Sequence, residues 1–106
     1  MIDELSPGEF QRRRRSGELW QLLDVREPWE IAIASLDNTI NIPLRDLPSR
    51  HTELDPATPV AVICHGGVRS AHAAGFLAAQ GYPAVANIVG GIDAWSRDVD
   101  ASVPRY

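Results

Sequence analysis

Four short apolar segments recur along the chain, and helix-like stretches separate them. The segments are residues 20–25, 39–42, 60–63 and 84–89. The third is continuously apolar, which is typical of a central parallel strand that is covered on both faces. Strands that alternate with helices at this spacing predict an α/β fold, in which helices flank a parallel sheet on both faces.

Capping and turn residues place the predicted helices. Ser6 and Pro7 followed by Glu9 form a capping-box pattern with proline in the first turn, and this helix is predicted to end near Gly17. Residues 44–51 are predicted as a short helical or irregular piece that Pro48 breaks. The remaining helices are predicted at residues 28–32, 69–80 and 92–99. Residues 100–106 are expected to form a tail on the surface.

Length and composition fit one globular unit. The 106 residues leave no room for a second domain, so a single domain over residues 1–106 is predicted. With 44% hydrophobic and 23% charged residues, the chain can bury a core without a metal or a disulfide. No apolar stretch is long enough to cross a bilayer, and the start is acidic. We therefore expect a cytoplasmic protein that makes no use of a membrane.

The charge distribution argues against nucleic acid as a partner. The net charge is −4, and all ten basic residues are arginine. A net negative chain has little general affinity for phosphate backbones. Four arginines follow one another as Arg12, Arg13, Arg14 and Arg15. The favoured interpretation of this run is a solvated first helix, and a docking site for an acidic carrier protein is the alternative.

The chain has one cysteine, Cys64, which excludes an internal disulfide, a Cys-x-x-Cys zinc site and a dithiol redox pair. A lone cysteine is more often a buried structural residue. Here, however, it follows an apolar strand directly and a helix begins about five residues later. Ligands of open α/β sheets bind beyond the carboxyl ends of the strands, so Cys64 stands where chemistry is expected.

The segment after Cys64 is predicted to be an anion-binding loop. It consists of His65, Gly66, Gly67, Val68, Arg69 and Ser70. Glycines allow successive N–H groups to curl around one point, and the following helix adds its positive N-terminus there. Such surroundings favour the thiolate of Cys64 as a nucleophile that needs no general base. Arg69 is expected to add a fixed positive charge, and His65 could contact the site.

These residues resemble the active-site loop of the rhodanese family, whose pattern is Cys-x-x-Gly-x-Arg, often followed by Ser or Thr. Cys64, Gly67, Arg69 and Ser70 match it. Three further stretches are similar to family motifs and occur in the same order: Leu-Leu-Asp-Val-Arg-Glu at 22–27, Ile-Asn-Ile-Pro at 40–43 and Gly-Gly-Ile-Asp-Ala-Trp at 90–95. Together the four motifs cover nearly the whole chain.

The resemblance implies a five-stranded parallel sheet and a two-step sulfur transfer. A sulfane donor such as thiosulfate would give its outer sulfur to Cys64, and the persulfide would pass it to cyanide, a thiol or a protein acceptor. No cofactor is implied besides this covalent persulfide. Asp24 and Arg26 would brace the cysteine loop or line the mouth of the site. The alternative for this pair is that it only caps the neighbouring turn.

Other stretches are similar to the rhodanese domain that is appended to sulfur-carrier activating enzymes. They are Glu30-Ile31, the segment 34–39 that stands where many relatives have Gly-His-Ile-Pro-Gly-Ala, and the ending Val103-Pro104-Arg105-Tyr106. A sulfur-carrier protein is therefore one expected partner.

Two other functions fit parts of the pattern. A cysteine-dependent phosphatase or arsenate reductase uses a similar loop, but usually with five residues between cysteine and arginine. Cys64 and Arg69 are separated by four residues, which leaves a smaller cradle, and the loop has no acidic residue to protonate a leaving group. A non-catalytic rhodanese-like interaction module is the other alternative, which the presence of cysteine, glycine and arginine disfavours.

Overall fold

The computed structural model describes residues 2–106, which form one twisted parallel sheet with helices on both faces. The strands are β1 (Ile2–Leu5), β2 (Gln21–Asp24), β3 (Thr39–Asn41), β4 (Val60–Ile63) and β5 (Val85–Ile88). The helices are α1 (Pro7–Arg15), α2 (Pro28–Ile33), α3 (Leu47–Arg50), α4 (Val68–Ala79) and α5 (Gly91–Asp98). Short 3-10 turns at Leu44–Asp46 and His51–Glu53 flank α3.

The sheet order is β1-β5-β4-β2-β3, and every pairing is parallel. The predicted five-stranded α/β fold is therefore confirmed. The hydrophobic pattern indicated only four of the strands and missed β1, an edge strand in which only Leu5 is buried. A strand that pairs on one side and buries one residue carries almost no apolar signal, so only the resemblance accounted for the fifth strand.

Two apolar layers hold the helices to the sheet. On one face Leu23, Val62 and Tyr82 pack with Leu47 and the α4 side chains Ala73, Ala74 and Leu77. On the other face Phe10 of α1 and Trp95 of α5 pack over Leu22, Ala61 and Ile88. β4 lies in the middle and all four of its residues are buried. This position explains its unbroken apolar sequence.

The helix ends follow the predicted capping residues with two differences. Ser6 caps α1 by accepting the Glu9 amide at 3.1 Å, but the Glu9 carboxylate binds Arg12 and Arg13 instead of completing the capping box. Pro48 was predicted to break the segment 44–51, and this is wrong. It lies in the first turn of α3, where its missing N–H has no helical acceptor to lose.

The arginine run at the end of α1 is held by intramolecular contacts. Arg12 and Arg13 pair with Glu9, while the Arg14 guanidinium lies 4.7 Å from the centre of the Phe10 ring. Arg12 and Arg15 are exposed, and both interpretations of the run stay predictions. In the described part of the chain, no helix has the length and apolar character needed to span a membrane.

Candidate active site

Cys64 lies directly after β4 at the carboxyl edge of the sheet, where the sequence predicted it. It is buried, with 1% of its surface exposed. Because β4 has β2 on one side and β5 on the other, the cysteine stands at the centre of this edge. Ligands of open α/β sheets bind beyond the carboxyl ends of the strands, which is where the thiol lies.

Two backbone amides converge on the sulfur. The N–H of Gly67 donates to Sγ of Cys64 at 3.1 Å, and the N–H of Ser70 donates to it at 3.3 Å. Both belong to the start of α4, so the positive end of this twelve-residue helix points at the sulfur. Two amides of the loop, rather than the whole run, thus point at the sulfur, and anion binding by the loop stays a prediction.

A second pair of glycines holds the cysteine loop in place. A Cβ on Gly91, whose φ is +60°, would lie 2.4 Å from the carbonyl oxygens of both Cys64 and His65. This close approach lets the first amides of α5 bind the loop: Ile92 donates to the Cys64 carbonyl at 2.8 Å and Asp93 to that of His65 at 3.1 Å. In the sequence these glycines stood out only as part of the motif at 90–95, because the contact joins segments some 25 residues apart.

The fixed positive charge expected of Arg69 lies in an ion pair. Its guanidinium binds the Glu30 carboxylate of α2 through two hydrogen bonds of 2.6 and 2.8 Å. Glu30 is 3% exposed, and the bonds from Arg69 are the main cause that lowers its pKa to about 2. The same pairing raises the pKa of Arg69. The ion pair between Arg69 and Glu30 thus connects α4 to α2.

Asp24 and Arg26 form a fully buried ion pair at the end of β2. The Arg26 guanidinium binds Asp24 Oδ2 at 2.7 Å, the Ala34 carbonyl at 2.8 Å and the Tyr106 hydroxyl at 3.0 Å. None of these bonds reaches the cysteine loop. Arg26 instead binds α2 near its C-terminus, since it contacts the carbonyls of Glu30 and of the C-cap residue Ala34. The pair is linked to the cysteine loop indirectly, because Glu30 binds Arg69 and Tyr106 stacks on His65. A bracing role for the pair stays a prediction.

The tail was expected to lie on the surface, and this is wrong for Val103 and Tyr106. Val103 is buried in the core, and the Tyr106 ring stacks on His65 with 4.3 Å between ring centres and 16° between planes. The Tyr106 hydroxyl accepts from Arg26 and donates to Glu30 at 2.8 Å. His65 therefore contacts the tail and makes no hydrogen bond to the sulfur. Periodicity could not reveal this because tail and loop meet only in three dimensions.

The mouth of the site has an apolar border. Val68 of the loop is 72% exposed and Trp29 of α2 is 62% exposed, while Gly66 is also exposed. Trp29 contacts the Tyr106 ring edge to face, with 6.3 Å between centres. Exposed aromatic and aliphatic side chains around a buried reactive group are common where another protein docks.

One chain of polar contacts behind Cys64 was not predicted. Ser70 Oγ lies 3.3 Å from Sγ and donates to Asn87 Oδ1 at 2.6 Å. Asn87 Nδ2 in turn donates to Glu4 Oε2 at 3.0 Å. The available signal was a single polar residue, Asn87, within the otherwise apolar strand β5.

Comparison with known proteins shows the family to which this chain is similar. The family described as "Rhodanese-like domain" matches residues 6–98. A protein named "Sulfurtransferase" from Allochromatium vinosum is 34% identical over 97 residues, which are 92% of this chain and 91% of that protein. "Rhodanese-like/PpiC domain-containing protein 12, chloroplastic" from Arabidopsis thaliana is 46% identical over 90 residues. These are 81% of this chain but only 30% of that relative's length.

A longer relative and a solved structure show similarity to the same family. "Adenylyltransferase and sulfurtransferase MOCS3-1" from Zea mays is 35% identical over 92% of this chain, which spans 22% of that protein. A rhodanese-related protein from Thermoplasma volcanium has a TM-score of 0.82 and 33% identity, and the match covers 92% of this chain and 94% of that one.

Proposed function

The chain belongs to the rhodanese-like family, and from this premise we propose that it is a sulfurtransferase that carries sulfur as a persulfide on Cys64. The observation that carries the proposal is the convergence of the Gly67 and Ser70 amides on Sγ at 3.1 and 3.3 Å. Hydrogen bonds to a charged acceptor are stronger than neutral ones, so these amides favour a negative sulfur at this point.

The first step is attack of the Cys64 thiolate on the outer sulfur of a sulfane donor. With thiosulfate, the S–S bond of the donor breaks, sulfite leaves with the electron pair, and a new S–S bond forms on Cys64. In the second step an acceptor attacks the outer sulfur of the persulfide. Cyanide then becomes thiocyanate, or a thiolate becomes a persulfide, and the Cys64 thiolate is released. No external oxidant, reductant, metal or organic cofactor enters this balance.

The surroundings of the loop support a protein as well as a small molecule in these steps. The Arg69 charge is already bound by Glu30, which reduces its attraction for a dianion such as thiosulfate. The exposed Val68 and Trp29 offer apolar contact area to a macromolecule. Relatives include "Putative sulfur carrier protein YrkF" from Bacillus subtilis. We therefore include a sulfur-carrier protein among the acceptors. A cytoplasmic location belongs to the same proposal, because a lone reactive thiol needs a reducing compartment.

Mass spectrometry of the intact protein tests the proposal. After incubation with thiosulfate, the mass should rise by about 32 Da, and cyanide should remove the gain. Cys64→Ser should gain nothing, since the chain has no other cysteine. Unchanged loading in that variant would disprove the nucleophile. No loading with any sulfane donor would favour an interaction module, and hydrolysis of p-nitrophenyl phosphate without loading would favour a phosphatase.

A further inference from the structure

The polar chain behind Cys64 has a defined direction. A carboxylate only accepts hydrogen bonds, so Glu4 requires the amide nitrogen of Asn87 to face it. The amide oxygen of Asn87 then faces Ser70, and this oxygen also only accepts. The single hydroxyl hydrogen of Ser70 is therefore committed to Asn87, at 2.6 Å, and a lone pair of Ser70 Oγ is left facing the sulfur at 3.3 Å.

This direction suits the protonated thiol. An S–H group can donate to the Ser70 lone pair, whereas a thiolate has no hydrogen to donate and meets a second electron-rich atom. To stabilise the thiolate, Ser70 must turn its hydrogen from Asn87 to the sulfur. The Asn87 oxygen would then lose its donor in an environment where Asn87 is only 5% exposed, and a buried unpaired acceptor is unfavourable.

We propose that Glu4 and Asn87 are positioning residues that orient the Ser70 hydroxyl and thereby favour the thiol of Cys64 over its thiolate. They oppose the Gly67 and Ser70 amides, which favour the thiolate. The balance between the two sets decides how much of the nucleophile is present before a donor arrives. The inference rests on the proposed function only in treating Cys64 as the nucleophile.

Other charged groups belong to the elements that meet at this edge of the sheet and must stay constant in a test. They are Arg69 of α4 with Glu30 of α2, Asp24 and Arg26 at the end of β2, His65 in the loop, and Asp93 of α5 with Arg105 of the tail. None of them bonds to Glu4, Asn87 or Ser70. A conservative change at Glu4 therefore alters the polar chain and leaves these pairs in place.

Glu4→Gln is the sharpest variant, because it keeps the shape of an exposed side chain and adds a donor. Its amide group can donate to the Asn87 oxygen, so the Asn87 amide can turn and donate to Ser70. The Ser70 hydrogen is then free for the sulfur. Asp3→Asn is the matched control: it removes the same charge from the neighbouring residue of β1, whose side chain points to the opposite face.

The readout is the ultraviolet absorbance of the thiolate as a function of pH, with the Cys64→Ser spectrum subtracted. The chain has one cysteine, so the difference reports Cys64 alone. In Glu4→Gln the midpoint of this curve should fall by about 0.5 to 1 pH unit, the equivalent of one hydrogen bond. Asp3→Asn should leave it unchanged.

A double variant separates the polar chain from simple charge removal. In the Ser70→Ala background, Glu4→Gln should no longer move the midpoint, because the connecting hydroxyl is gone. An equal fall with and without Ser70, or no fall in Glu4→Gln at all, overturns the inference. The titration needs no sulfur donor, so failure of persulfide loading would refute the proposed function and leave this result standing.

Discussion

Gly91→Ala should disturb the cysteine loop more than a glycine-to-alanine change at any other position. The added Cβ would lie 2.4 Å from the carbonyl oxygens of Cys64 and His65, a distance that real Cβ atoms do not show. The two backbones must therefore separate, and the bonds from Ile92 and Asp93 to the same carbonyls must lengthen or break.

The magnitude follows from three contributions. The left-handed backbone at φ +60° costs a residue with a Cβ about 1–2 kcal/mol. Each of the two hydrogen bonds contributes about 1 kcal/mol. The loss of roughly 3–4 kcal/mol is a large part of the 5–15 kcal/mol that holds a typical domain together.

Gly17→Ala is the control. Gly17 also has a positive φ, +103°, but no atom lies within 4 Å of its would-be Cβ, so the variant shows backbone strain alone. Urea unfolding would give the free energy of unfolding for both variants, and mass spectrometry their sulfur loading. We expect Gly91→Ala to lose about 2 kcal/mol more than Gly17→Ala and to load poorly. Equal stability and equal loading in the two variants would refute the close-approach argument.

Two further predictions concern the ion pairs. The folded-state pKa of Glu30 is about 2 against an ordinary 4.5, so its ion pair with Arg69 stabilises the fold fully above about pH 5 and loses its effect as the pH falls towards 2. Between neutral and acidic pH, the free energy of unfolding should therefore fall less in Glu30→Gln than in the wild type, by roughly 3 kcal/mol over this window. Thermal unfolding at a series of pH values measures it, and parallel curves for the two proteins would contradict the pairing. Arg26→Met should cost about 3–5 kcal/mol in denaturant unfolding, because it leaves the buried Asp24 carboxylate without its partner. Arg45→Met, which removes an exposed pair with Glu27, should cost far less, and equal losses would show that burial of the Arg26 pair has no energetic consequence.

The sequence by itself determined the parallel α/β fold, four of the five strands and the place of Cys64 at the end of β4. These features can be predicted from neighbouring residues. An apolar run such as Val60–Ile63 indicates a buried strand, and a cysteine followed by glycines and a helix start indicates a loop at the end of that strand. Capping residues likewise placed most helix ends within one or two positions.

Only the tertiary structure decided how the loop is held and how its charges are paired. Gly91, Glu30, Tyr106 and Asn87 each act through a partner far along the chain, and a single sequence carries no record of such pairings. Arg69 shows the consequence: its type and position predicted a fixed positive charge at the loop, but only the fold shows the buried carboxylate that binds it. Preferences for strands, helices and turns depend on neighbouring residues. The contact partner of a side chain depends instead on which elements the sheet order places side by side.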